Sequence, residues 1–185
     1  MLPAAYIPFF TAAVGSAGAL IGLLFIAISI APERTVGKSA TLERAALAGN
    51  AFTALSNVFF ISLVALIPAV MLGGALFALG IMACIATVRL ATHLFSGGWR
   101  KGRLGLVQII RRFALVAASL TIYGMEVWLG ARSLWGSEPT GTTFSAASIL
   151  IVGGYALVLV RMWSLLGAHK DSFLAWFSLL NDVDD

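Results

Sequence analysis

Apolar residues run along this chain in long unbroken stretches, and polar residues gather in short segments between them. Residues Met1–Pro32 carry no charge over 32 positions and Ala45–Val88 none over 44. Both stretches exceed the ~20 residues that a helix needs to cross a bilayer core. The second is long enough for two spans, with Pro68 and the pair Gly73-Gly74 marking a turn near Pro68–Leu72. The pattern predicts five membrane-spanning helices over about 6–31, 49–68, 72–95, 113–135 and 144–167. In the tail, Phe173, Trp176, Phe177 and Leu180 fall at i, i+3, i+4 and i+7. That apolar face predicts a short interfacial helix over about 170–181, lying along the membrane surface. The expected fold is an all-α polytopic membrane helix bundle, five transmembrane helices plus this C-terminal helix, in a single transmembrane domain covering 1–185.

The few polar residues inside the spans carry most of the information. In the first span Gly15, Gly18 and Gly22 share one face, with Gly18 and Gly22 forming a GxxxG. Small residues let helix backbones approach closely in lipid, so this face predicts helix packing, either within the chain or between subunits. In the second span Asn50, Thr53 and Asn57 stand at i, i+3 and i+7, a polar stripe entering from one end. Asn57 lies near mid-membrane, where an unpaired amide costs several kcal/mol. Interhelical hydrogen bonds or a wet pathway would both satisfy it.

The fourth span holds Glu126, the acidic residue set deepest in an apolar stretch, on a face with Ser119, Tyr123, Gly130 and Ser133. A charge at a helix centre costs about 3 kcal/mol on insertion scales. Glu126 must therefore face the bundle interior, pair with a base, or carry a proton. Tyr155 of the fifth span is expected level with it and is the candidate partner. Arg161 is expected to miss Glu126 by about two helical turns, because it stands nearer the opposite end of its span.

Charge settles the expected orientation. The chain has twelve Lys and Arg, and five of them, Arg100, Lys101, Arg103, Arg111 and Arg112, cluster in one acid-free stretch between apolar runs. Such clusters stay on the cytoplasmic side. The N-terminus is then outside and the C-terminus cytoplasmic, with Arg132 the one base on the outer half. A plasma (inner) membrane location follows, with lipid bilayer as the surroundings and anionic lipid headgroups as partners of the basic cluster. The net charge of +4 therefore belongs to loops beside the membrane, and no nucleic-acid partner is expected.

Candidate chemistry is sparse. The single cysteine, Cys84, excludes an internal disulfide, a CxxC pair and a cysteine zinc cluster. No Walker loop, GxSxG, HExxH or dinucleotide fingerprint occurs, and neither cofactor, metal nor enzymatic activity is expected. No cleaved leader is expected, since no basic segment precedes the first apolar run. Two functional classes remain. One is a homo-oligomeric ion channel or small transporter. Its path, between subunits, would be lined by Asn50, Thr53 and Asn57 or by Ser119, Tyr123 and Glu126, with Tyr155 beside them. A carboxylate on such a path favours cations or relays protons. The other class is a non-conducting scaffold or regulatory subunit that binds partner helices through its small-residue faces.

Overall fold

The computed structural model describes residues 3–30, 42–67, 72–99, 106–136 and 141–165. Among these there are five long helices and no strand: α1 (Ile7–Ile30), α2 (Leu42–Leu66), α3 (Leu72–Trp99), α4 (Leu106–Trp135) and α5 (Gly141–Leu165). Each lies in or contains a stretch long and apolar enough to cross a membrane, namely Ala4–Ile30 (α1 with the turn before it), Ala48–Leu66, Leu72–Thr92, Phe113–Trp135 and Gly141–Met162. The interfacial helix expected over 170–181 and the basic residues Arg100, Lys101 and Arg103 lie outside the described residues, as do the side chains of Arg111 and Arg112.

Local chemistry sets the ends of two helices. A single 3-10 turn, Ala4–Tyr6, leads into α1, closed by the Tyr6 amide donating to the Pro3 carbonyl at 2.9 Å. At the end of α2 the Ile67 amide donates to Val64 at 3.1 Å, an i to i−3 bond that tightens the last turn. Pro68 follows and has no amide hydrogen with which to continue the ladder.

Helices α2, α3, α4 and α5 close into a four-helix ring, each packed on its neighbours in chain order and α5 returning to α2. Helix α1 stands outside the ring, mainly against α2. Consequently α2 and α4 face each other across the core, running parallel, and only side chains bridge them. The end of the ring at which α3 finishes and α4 begins is the basic end.

The tightest seam joins α3 to α4, and glycine makes it possible. A Cβ on Gly130 would sit 2.4 Å from the Phe77 nitrogen and 2.7 Å from the Gly73 oxygen. A Cβ on Gly80 would meet the Tyr123 oxygen and the Val127 nitrogen, both at 3.1 Å. These backbones are in direct contact, which no side chain larger than hydrogen allows at Gly130. The face expected to pack, on α1, behaves differently. Gly15 and Gly22 are exposed, with nothing within 4 Å of a modest side chain, and Gly18 only reaches the Phe59 ring at 3.7 Å. Packing of Gly15 and Gly22 within the chain is therefore corrected: α1 borders the ring on its other side, through Phe10, Ala13, Ala17 and Leu24.

The distribution of polarity is inverted relative to a water-soluble bundle. Large apolar side chains face outward, including Leu23 at 57%, Phe113 at 66% and Ile149 at 69% exposure. Polar side chains are inside: Asn57, Ser62, Thr87, Ser119, Glu126 and Arg161 are all buried. An apolar exterior of this extent is stable when lipid covers it. The chain has the make-up of a multi-pass membrane protein. Trp128 also faces outward, with the Arg132 guanidinium 5.5 Å from its ring centroid.

Candidate functional site

The buried polar side chains assemble into two layers in the core of the ring. In the deeper layer, Asn57 of α2 reaches across to Glu126 of α4, its Nδ2 donating to Oε2 at 2.6 Å. Cys84 of α3 stands close enough to interact electrostatically with the carboxyl group. The layer nearer the basic end centres on Arg161 of α5, which is 1% exposed. Its guanidinium donates to the Asn50 carbonyl of α2 at 3.3 Å and to the Ser119 hydroxyl of α4. Ser119 in turn donates to the Leu115 carbonyl at 2.6 Å, so its oxygen is free to accept from Arg161. Tyr123, between the layers on α4, carries a hydroxyl that interacts electrostatically with both Arg161 and Glu126 but has no hydrogen-bond partner.

Helix geometry explains the two layers. Asn50 and Asn57 on α2, and Ser119 and Glu126 on α4, are each seven residues apart, two turns on the same face. Parallel helices with equal spacing bring Asn57 level with Glu126 and the Asn50 backbone level with Ser119, the two layers about 10.5 Å apart along the axis. Arg161 and Glu126 thus sit two turns from one another and form no ion pair, in keeping with the depth expected of Arg161. At that separation their attraction is only about 1.6 kcal/mol for an effective dielectric of 20. Burying each ion costs several kcal/mol. Most of the burial cost of Arg161 must be met by hydrogen bonds, and two of its five N–H groups are so engaged.

Three further buried oxygens lack hydrogen-bond partners: Asn57 Oδ1, Thr87 Oγ1 and Ser62 Oγ. Thr87 lies two turns beyond Gly80 on α3, and Gly80 abuts Tyr123 and Val127 on the antiparallel α4. That register puts Thr87 level with Ser119 and Arg161. Beyond Glu126, toward the other end, the core is mostly apolar, filled by Ile61, Ala65, Leu72, Leu76, Leu129 and Phe144, with Ser62 the buried polar side chain near them. The polar interior therefore occupies the middle and the basic-end half of the ring, and an apolar plug closes the remainder.

Of the residues singled out in the sequence, the side chains of Asn57, Ser119, Tyr123 and Glu126 come together in this core, and Asn50 contributes its backbone carbonyl. Thr53 does not: its hydroxyl donates back to Gly49 of its own helix at 3.0 Å. The expected partnership of Tyr155 with Glu126 is also corrected. The Tyr155 hydroxyl donates to the Ala13 carbonyl at 2.6 Å and lies 2.6 Å from Ser16 Oγ, tying α5 to α1. Six residues separate Tyr155 from Arg161, which turns the two about 120° apart around the helix. Arg161 takes the core-facing position and Tyr155 the outer seam. Sequence reasoning missed Arg161 and Thr87 as members of the site. The matching seven-residue spacings on α2 and α4 were the available signal for a second layer.

Among the described residues no cluster of His, Cys, Asp and Glu has the makings of a metal site. No protein-family model matches the chain, and no curated protein or solved structure is significantly similar to it.

Proposed function

We propose that this chain is an ion channel or small transporter whose permeation path runs through the core of each protomer rather than between subunits. The observation that carries this reading is the buried polar column Asn57–Glu126, Tyr123 and Ser119–Arg161–Asn50, built by three helices of the ring with Thr87 and Cys84 of the fourth alongside. Several of its oxygens have no protein partner, as expected of groups that meet a permeating species. The apolar plug around Leu76 and Leu129 then acts as the closed gate, and opening requires the helices at that end to part. The protein works as a homo-oligomer in the plasma (inner) membrane, with the N-terminus outside and the C-terminus cytoplasmic. Its basic residues 100–112 contact anionic headgroups. The open glycine face of α1 at Gly15 and Gly22 is the surface on which subunits meet, and the protein has no enzymatic role.

Ion flux through liposomes holding the purified protein tests the reading, with Glu126→Gln beside wild type. Flux above empty liposomes that changes in rate, selectivity or pH dependence with the substitution is the expected result. No flux across a panel of cations, anions and pH gradients refutes it. A second reading then takes over, in which the protein is a non-conducting scaffold or regulatory subunit. The apolar plug and the unfilled glycine face of α1 favour that alternative, since both suit a packed bundle that binds partner helices.

A further inference from the structure

We propose that the layer around Arg161 is a binding site for a small monovalent anion. The guanidinium is buried in the ring core, and the groups around it among the described residues are neutral oxygens: it donates to the Asn50 carbonyl and the Ser119 hydroxyl, and the Tyr123 hydroxyl stands beside it. None of them removes its charge. The buried acid in the same core, Glu126, is two turns away and is held by Asn57. A buried cation without a contacting anion is the arrangement that invites one. The surroundings supply donors as well as charge. The Tyr123 hydroxyl lies beside the guanidinium, from which it can only accept, and the Thr87 hydroxyl is level with it on α3; neither O–H has a protein acceptor. Both are free to donate to an anion, and Arg161 has more N–H groups than the neighbouring oxygens engage.

One positive charge with hydroxyl and guanidinium donors, enclosed by four helices, calls for an anion of single charge, for which chloride is the probe. The site lies on the basic-end side of the apolar plug, so an anion reaches it from that end without passing the gate. The proposal rests on the interior-path reading for that access, and it makes the permeating or regulating species an anion rather than the cation that Glu126 alone would favour.

The test uses the full chain in detergent, with chloride exchanged for gluconate at constant ionic strength and the thermal unfolding midpoint as readout. A ligand that binds only the folded protein raises the midpoint saturably. Wild type is expected to respond by a few degrees, Tyr123→Phe to need about tenfold more chloride for half the effect, and Arg161→Gln not to respond. If Arg161→Gln fails to fold, Tyr123→Phe and Thr87→Val carry the test, because each removes a hydroxyl whose proton has no protein acceptor. A merely structural role for these hydroxyls moves the midpoint in gluconate but leaves the chloride response as in wild type, and that result overturns the proposal. So does a wild type indifferent to chloride. Flux in liposomes separates the two ideas. Proton or cation flux without a chloride response keeps the path and removes the anion site. A chloride response without any flux keeps the anion site and removes the path.

Discussion

Gly130→Ala is the substitution whose cost follows most directly from the structure. The added methyl carbon would lie 2.4 Å from the Phe77 nitrogen, 2.7 Å from the Gly73 oxygen and 2.8 Å from the Phe77 Cα. Contacts between heavy atoms are comfortable at about 3.5–4.0 Å, so α3 and α4 must separate by roughly 1 Å. All three clashing atoms belong to backbone, so no side-chain rotation relieves them. Forcing such a shift on a packed seam costs about 1–3 kcal/mol. Replacing glycine by alanine within a helix returns about 0.5–1 kcal/mol. The net expectation is a loss of about 1–2 kcal/mol. Gly15→Ala is the internal control, since it has the same chemistry and no neighbour within 4 Å. It is expected to be neutral or slightly stabilising. Unfolding of both variants and wild type by a denaturing detergent, followed by circular dichroism, gives the comparison. A Gly130→Ala protein as stable as Gly15→Ala would refute the close α3–α4 seam and the ring order built upon it.

Other expectations follow from the same contacts. Asn57→Leu leaves Glu126 without its partner and should destabilise the protein by about 1–3 kcal/mol in the same unfolding assay. Asn57→Leu combined with Glu126→Leu should restore much of that loss, because removing both partners leaves no orphaned polar group. Tyr155→Phe deletes the hydroxyl bridge from α5 to Ala13 and Ser16, at a cost of about 0.5–1.5 kcal/mol, and should leave ion flux unchanged because the residue is outside the core. Gly15→Leu and Gly22→Leu should lower the oligomer size measured by light scattering without lowering protomer stability. An unchanged oligomer size removes that face as the subunit contact. In a Cys84→Ala background, a membrane-impermeant maleimide should label Glu138→Cys on intact cells and Ser39→Cys only after lysis, and the opposite pattern reverses the orientation.

Five helices could be read from the sequence because membrane insertion is a local matter. A helix satisfies its own backbone, and about 20 apolar residues suffice whatever its neighbours do. The polar stripes on α2 and α4 were visible for the same reason, since residues seven apart share a face wherever the helix sits. Partner choice within the bundle was not visible in this way. Gly15, Gly18 and Gly22 make the small-residue pattern in the sequence, yet it is Gly73, Gly80 and Gly130, on two different helices, that meet another backbone. Tyr155 and Arg161 are six residues apart on one helix, and nothing in their spacing says which of them turns toward Glu126. Those choices depend on which helices become neighbours and how each is rotated about its axis. Both are set by the sum of many weak contacts between helices distant in sequence. The sequence by itself determined the membrane-spanning helices and the polar face of each. Tertiary packing alone decided that these faces converge in the core of one protomer, that Arg161 joins them, and that the glycines of α1 stay open.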